Sequence, residues 1–285
     1  MKKILFIIIL FPFLISANNK NNTEIPKDYT FIPMGSTLVN GEKVSVDAFI
    51  MQKTEVSNKQ YREFLNSLKA NKDFEKLKIA QIDSTKWRQE NQYNEPYVQY
   101  YHSHSAYDNY PVVNISYEAT LLYCEWLTKK WKNEYNQDIT FRLPSENEWI
   151  YAAKAGNSSA KFPWEGNSLQ DKKGKVKCNY WYIHQEEIKR NHNTGNIELM
   201  QCNNQKSREE SSIMVPVDSY FPNNYKLYNM SGNAAEMTSE GSILGGSWNS
   251  TGYFMQIESE SEYSKNDIPS PYIGFRVVYD FIIEK

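Results

Sequence analysis

Cysteine is scarce in this chain of 285 residues: Cys124, Cys178 and Cys202 are all it has. An odd count leaves at least one thiol unpaired, and no spacing among the three resembles a zinc site. Cys124 falls in an amphipathic helical pattern and reads as a buried thiol. Cys178 and Cys202 bracket a polar insertion that a disulfide could staple, with three single pairings open in principle. Charge of one sign is lacking too. With 32 basic and 34 acidic residues well mixed and a net charge of −2, the chain has no electrostatic footprint for nucleic acid. Long apolar runs are absent beyond one near the start, residues 4–15, which Pro12 interrupts and which is too short for a comfortable membrane span.

That run has the features of an export signal. Lys2 and Lys3 precede it, Ser16 and Ala17 follow it, and a polar Asn/Lys tract comes next. Cleavage after Ala17 is expected, giving a signal peptide over 1–17, a linker over 18–28, and one domain over 29–285 outside the cytoplasm. The alternative is an uncleaved membrane anchor. No cysteine lies near the cleavage region, so lipid attachment there is unsupported. A hydrophobic content of 40% suffices for a full core. The 21 Tyr and 7 Trp residues suit a loop-rich fold whose irregular segments are pinned by amphipathic rings.

Residues 29–35 and 44–51 have strand character, the second with Val44, Val46, Ala48 and Ile50 alternating. Ser57 and Gln60 form a capping box ahead of a helix whose stripe is Tyr61, Phe64, Leu65 and Leu68. Residues 70–109 are polar and aromatic without clear period, and are expected to be a long insertion over the surface. A strand over 110–116 is expected to end at a cap, followed by a helix to about Trp131 with Ala119, Leu122, Tyr123 and Trp126 on one side. Ser145 and Glu148 form a second capping box, and Gly156 closes that helix. Glu146 and Glu148 complement the helix N-terminus and are read as structural.

The stretch from Leu227 to Trp248 has neither helical nor strand period. It gathers Asn229, Asn233 and Glu236 around Gly232, with a glycine pair beyond. Side-chain oxygens and inward-turned carbonyls in such a loop suit a hard cation such as Ca²⁺, and a polar Asx-capped turn is the alternative. His102 and His104 would share one face of an extended backbone, a spacing that can chelate a metal, although no third ligand accompanies them.

Several blocks occur in order: Glu55-Val-Ser-Asn-Lys-Gln-Tyr61, Pro111-Val-Val-Asn-Ile-Ser116, Tyr123-Cys-Glu-Trp126, Arg142-Leu-Pro-Ser-Glu-Asn-Glu148-Trp149, Phe162-Pro-Trp164, Leu227-Tyr-Asn to Glu236, Gly245-Gly-Ser-Trp248 and Gly274-Phe-Arg276. Together they resemble the formylglycine-generating enzyme (sulfatase-modifying factor) family over nearly the whole mature chain. The resemblance implies a single loop-rich α+β domain related to C-type lectin-like folds. It also implies calcium held by Asn229, Gly232, Ala234 and Glu236, and half of a second calcium site at Asn179 and Tyr180.

The departures from the family pattern carry the functional expectation. Family enzymes oxidise a substrate cysteine to formylglycine with O₂ and copper(I) held by two thiolates shortly after the Gly-Gly-Ser-aromatic motif. At those positions this chain has Ser250 and Met255. A serine hydroxyl is hard and protonated, and a thioether is neutral, so copper is not expected. The basic stretch expected beyond is replaced by Gln256-Ile-Glu-Ser-Glu-Ser-Glu262, and Ala235 and Met237 stand where family members carry Trp. Val277 follows Gly-Phe-Arg where a cysteine often pairs with the one at Cys124. The pattern is more similar to a cysteine-less branch that includes gliding-motility and type IX secretion lipoproteins, although the lipidated cysteine is missing. The expectation is a non-catalytic, calcium-stabilised binding or envelope assembly component with a protein or peptide partner. The alternative is an oxidoreductase with other metal ligands, His102 and His104 among them.

Overall fold

An Asn-Gly turn and two capping boxes fix the first half of the chain in the computed structural model, which describes residues 25–88, 93–136, 138–182, 188–191, 194–199 and 213–280. The expected signal segment and Cys202 lie outside the described residues. Strand β1 (Tyr29–Ile32) is followed by β2 (Gly35–Val39) and β3 (Glu42–Val46), a hairpin closed by Asn40 and Gly41 at φ 50° and 84°. Both turn residues need the left-handed region, which Asn and Gly tolerate best, and this turn matches the twist of the strands it joins. Strand β4 (Phe49–Gln52) comes next, so the single strand expected over 44–51 is two, broken at Asp47 and Ala48.

Helix α1 (Asn58–Ala70) begins at the expected box, with the Ser57 side chain accepting from Gln60 N and Gln60 reaching back to Ser57 N. Tyr61, Phe64 and Leu68 are buried on its inner face. The insertion that follows departs from expectation. It forms α2 (Phe74–Ala80), a tight turn over Ser84–Trp87, α3 (Glu95–Tyr100) and a second turn over Ser105–Tyr107. Far from lying over the surface, it buries Trp87 and Tyr101 completely. These pieces are too short to display a helical period, and stacking holds them in place. Trp87 lies 5.1 Å from Tyr97, 4.8 Å from Tyr101 and 6.4 Å from Trp248 between ring centroids.

Residues 110–116 are extended and buried but form no strand of a sheet. Pro111 supplies a lone bridge to Ser57, and Asn114 turns to φ 61°, which interrupts any ladder. Ser116 caps α4 (Tyr117–Tyr135), which ends with Asn136 in the left-handed region. After β5 (Phe141–Arg142), α5 (Glu146–Lys154) has the complete second capping box and closes on Ala155 and Gly156, both at positive φ. The remaining strands are β6 (Ile188–Arg190), β7 (Ile197–Leu199), β8 (Ala235–Met237), β9 (Ile243–Leu244), β10 (Ile273–Gly274) and β11 (Val278–Asp280).

The main sheet has the order β1-β4-β11-β5, antiparallel throughout. Every residue of β4 is buried, because the sheet is covered on both faces. Ile50 points with Tyr29 and Tyr279 into a core shared with α1 and α4, where Phe64, Tyr123, Leu127 and Trp131 pack. Phe49 and Met51 point the other way, with Ile32 and Val278, against Trp149 and Ile150 of α5 and the β2–β3 hairpin. This alternation is the period-two signature of a strand between two apolar layers. A second sheet, β10-β8-β9, pairs β8 in parallel with β10 and carries the polar loop into the interior. Among the described residues no helix is long and apolar enough to cross a membrane.

Candidate functional site: a buried carboxylate–guanidinium network beside a sealed serine pair

The polar stretch from Leu227 onward is moored before it begins. The Asn223 side chain donates to the carbonyls of Ala152 and Ala153 and accepts from Tyr225 N and Leu227 N. Tyr228 N then bonds Lys53 O at 2.8 Å, tying the loop to the end of β4. Gly232 passes so near the backbone of Asn179 that a Cβ there would sit 2.2 Å from the Asn179 carbonyl oxygen. No other residue fits, and the close approach lets Asn233 N donate to that same oxygen at 2.8 Å.

From this loop β8 carries Glu236 inward, where β11 and its approach deliver Arg276. Both side chains are shut off from solvent, at 1% and 0% exposure. Arg276 Nε donates to Glu236 Oε2 at 2.6 Å, Nη2 donates to Oε1, and Trp149 Nε1 adds a bond to Oε2 at 2.8 Å. The remaining guanidinium donors reach the carbonyls of Lys53 and Tyr228. A second carboxylate, Glu55, is buried alongside. It accepts from Asn233 Nδ2 at 2.8 Å and from Asn229 Nδ2 at 3.2 Å. Burial pushes its pKa up to about 8; Arg276 opposes that shift and Glu236 adds to it.

Glu236 is thus paired with the guanidinium while Glu55 is bonded to two amides, and buried charge must be paired, protonated or bound to a cation. This bears on calcium. Glu236 has three of roughly four lone-pair directions filled, and Asn229 Oδ1 accepts from no donor among the described residues. Asn229, Gly232, Ala234 and Glu236 offer an all-oxygen set, the donor chemistry that Ca²⁺ selects. Glu236 does not depend on such an ion, because Arg276 already neutralises it. At the second expected position, Asn179 lies beside Asn233 and the Tyr180 ring is buried with Phe162, Cys178 and Met255. The segment that would complete that site lies largely outside the described residues.

The positions of the family's thiolates are a different matter. Ser250 and Met255 are both fully buried. Ser250 Oγ accepts from Ser247 N at 2.7 Å and lies 3.3 Å from the Tyr263 hydroxyl, which in turn is 2.6 Å from Ser247 Oγ. Tyr263 stacks on Tyr272, and Tyr272 packs against Trp248. Met255 belongs to the apolar cluster of Phe162, Cys178 and Tyr180, with its methyl group against Gly246. Hydroxyls engaged with one another and a thioether in an apolar pocket do not fit copper(I), which selects thiolates.

His102 and His104 do not meet on one face. His102 Nδ1 lies 3.0 Å from Asn58 Oδ1, and Trp87 Nε1 approaches His102 Nε2 at 3.4 Å. Burial of that ring, with Arg62 nearby, drives its pKa down to about 3 and holds it neutral. His104 is exposed and accepts from Ala106 N as the cap of a short turn. Among the described residues no group of three or more His, Cys, Asp or Glu side chains could hold a metal. Cys124 and Cys178 are buried free thiols. Glu148, read as structural, accepts two bonds from Arg142 at 2.7 Å.

Sequence reasoning missed Glu55, Arg276 and Tyr263 as parts of these networks. Glu55 and Arg276 stand in the quoted family blocks, and an acidic and a basic residue inside otherwise apolar surroundings were the available signal.

A family model described as the sulfatase-modifying factor enzyme 1-like domain matches residues 16–281. The chain is similar to the formylglycine-generating enzyme of Bos taurus, at 30% identity over 224 residues covering 70% of this chain and 50% of that protein. It is also similar to the inactive C-alpha-formylglycine-generating enzyme 2 of Bos taurus, at 28% identity over 45% of this chain and 32% of that protein. The chain thus spans half or less of the length of these relatives. Among solved structures, CarF superposes with a TM-score of 0.56 at 17% identity, covering 90% of this chain and 99% of that one, a likeness of fold. The ordered motif blocks, the loop-rich α+β architecture and the match across almost all of its length place this chain in the FGE-sulfatase family, that of the formylglycine-generating enzymes.

Proposed function

We propose that this chain is a non-catalytic member of its family, exported from the cytoplasm, that binds a protein or peptide partner as a structural or assembly component. The observation that carries the reading is the fate of the copper position. Ser250 is enclosed with Ser247 and Tyr263, and Met255 is fully buried in a separate apolar cluster. A reacting thiol would need both a soft ligand pair and open access, and these residues supply neither. Similarity to inactive as well as active relatives is consistent with this reading. The ordered aromatic insertion and the intact ion-pair network point to a fold maintained for the surface it presents.

Calcium belongs to the same proposal. Asn229 and Glu236, with the carbonyls of Gly232 and Ala234, would hold it, and the ion would supply rigidity to the loop.

Metal analysis of protein purified without chelators tests the reading against an oxidoreductase with different ligands. Calcium without a stoichiometric transition metal is expected. One tightly held copper or iron per chain would favour the enzyme.

A further inference from the structure

Beside β1, the edge strand of the main sheet, the chain forms an open cleft of about 410 Å³ whose lining includes Pro26, Lys27, Tyr29, Lys53, Tyr225 and Lys226. Its size lies within the range of ligand pockets, roughly 300–1,000 Å³. Among the described residues none of the three lysines has a carboxylate within ion-pair distance. Lys53 Nζ instead donates to the neutral carbonyl of Lys27 at 2.5 Å, which fixes the ammonium without neutralising it. Lys226 is presented by a turn at φ 65° whose N–H bonds Asn223 O. Asp28 is exposed next to Lys27 but does not line the cleft. Three lysines thus line a partly aromatic depression in a chain whose overall charge is −2.

We propose that this cleft binds an acidic segment of a protein partner, Asp or Glu carboxylates meeting Lys27, Lys53 and Lys226 while an apolar neighbour packs on Tyr225 and Pro26. The inference rests on the binding role proposed above and names the chemistry of the partner. Lysines are flexible point charges, suited to carboxylates spaced along a chain, whereas the planar bidentate forks that favour a phosphate group are absent from the lining. The floor is rigid, because the carbonyl of Lys53 is held by Tyr228 N and by Arg276 Nη1 of the buried network.

The test is fluorescence anisotropy of a labelled Asp/Glu-rich peptide with a central Tyr, titrated with the full chain, beside a peptide of Asn and Gln in place of the acids. Lys27→Glu with Lys226→Glu is the variant, since both side chains are exposed and their reversal leaves the core untouched; an unchanged melting temperature checks this. Saturable binding of the acidic peptide is expected, weakened by salt and with affinity lowered about tenfold or more in the variant, about 1.4 kcal/mol or more. No saturable binding, equal binding by the variant, or equal binding of the uncharged peptide would overturn the cleft while leaving the non-catalytic reading standing. Displacement of the peptide by equimolar inorganic phosphate would assign the cleft to small free anions and overturn the peptide as occupant. Formylglycine production with normal peptide binding would instead sink the non-catalytic reading alone.

Discussion

Arg276 and Glu236 form a two-pronged ion pair in complete burial, with Trp149 holding the carboxylate from a third side. The pair joins β8, α5 and the approach to β11, so three separate stretches of sequence meet at one charge. Removing one partner leaves the other buried and uncompensated. Glu236→Ala and Arg276→Ala are each expected to cost about 3–5 kcal/mol in urea denaturation. The double variant should cost less than the sum, because the two residues act as a unit. Additive losses would show that each side chain is stabilised independently.

Glu55 makes stability depend on pH in a defined direction. Its folded pKa of about 8 lies above the ordinary value of 4.5, so the native state holds a proton that the unfolded chain releases. Its contribution is full below about 4.5 and is lost as pH rises toward 8. His102 works from the other side. Its pKa is depressed from 6.5 to about 3, so stability falls as pH drops through that interval. The two slopes oppose each other between 4.5 and 6.5. A stability plateau there, with an alkaline decline that Glu55→Gln abolishes, is the expected melting profile. Persistence of that decline in the variant would assign it elsewhere.

Ser250 is bound into its surroundings as an acceptor for Ser247 N. Ser250→Ala leaves that buried N–H without its partner and is expected to destabilise by about 1–3 kcal/mol, read as a shift of the urea midpoint. A neutral result would mean that the hydroxyl is dispensable to the fold.

Trp87 anchors the insertion to Trp248. Trp87→Ala is expected to cost about 3–5 kcal/mol and to open residues 84–110 to limited proteolysis before the rest of the chain. Uniform digestion would show that the insertion does not unfold separately.

Calcium removal is the fifth lever. Binding to the folded state alone raises stability by about 2.7 kcal/mol at a hundredfold excess over Kd. EGTA is expected to lower Tm, and excess calcium to restore it. An unchanged Tm, with no calcium found in the protein, would remove the ion from the Asn229–Glu236 loop. Glu236→Ala does not discriminate here, since it exposes Arg276 to the same penalty whether or not calcium binds.

The parts of this fold legible in the sequence are those with local chemistry. Ser57 with Gln60 and Ser145 with Glu148 announce their helices because a cap is a contact between near neighbours. The family blocks announce the architecture because many short motifs in fixed order leave few alternatives. The insertion is not legible because Trp87 is buried in part by Trp248, distant in sequence, and pieces of three to seven residues display no period. The break at Asp47 was hidden by an alternation that continues across it, although Asn40-Gly41 marked the hairpin. His102 and His104 share a spacing, yet one caps a turn outside while the other is enclosed by Asn58 and Trp87. Glu236 was legible as an important acid, but its pairing with Arg276 depends on the parallel contact of β8 and β10.

Incubation of the purified chain with a sulfatase-type cysteine peptide, copper(I), O₂ and a thiol reductant tests the non-catalytic reading most directly, with mass spectrometry of the peptide as readout. No formylglycine above the protein-free control is expected, because Ser250 and Met255 offer copper no thiolate. Formylglycine formed at a rate comparable with that of an active family enzyme would contradict it.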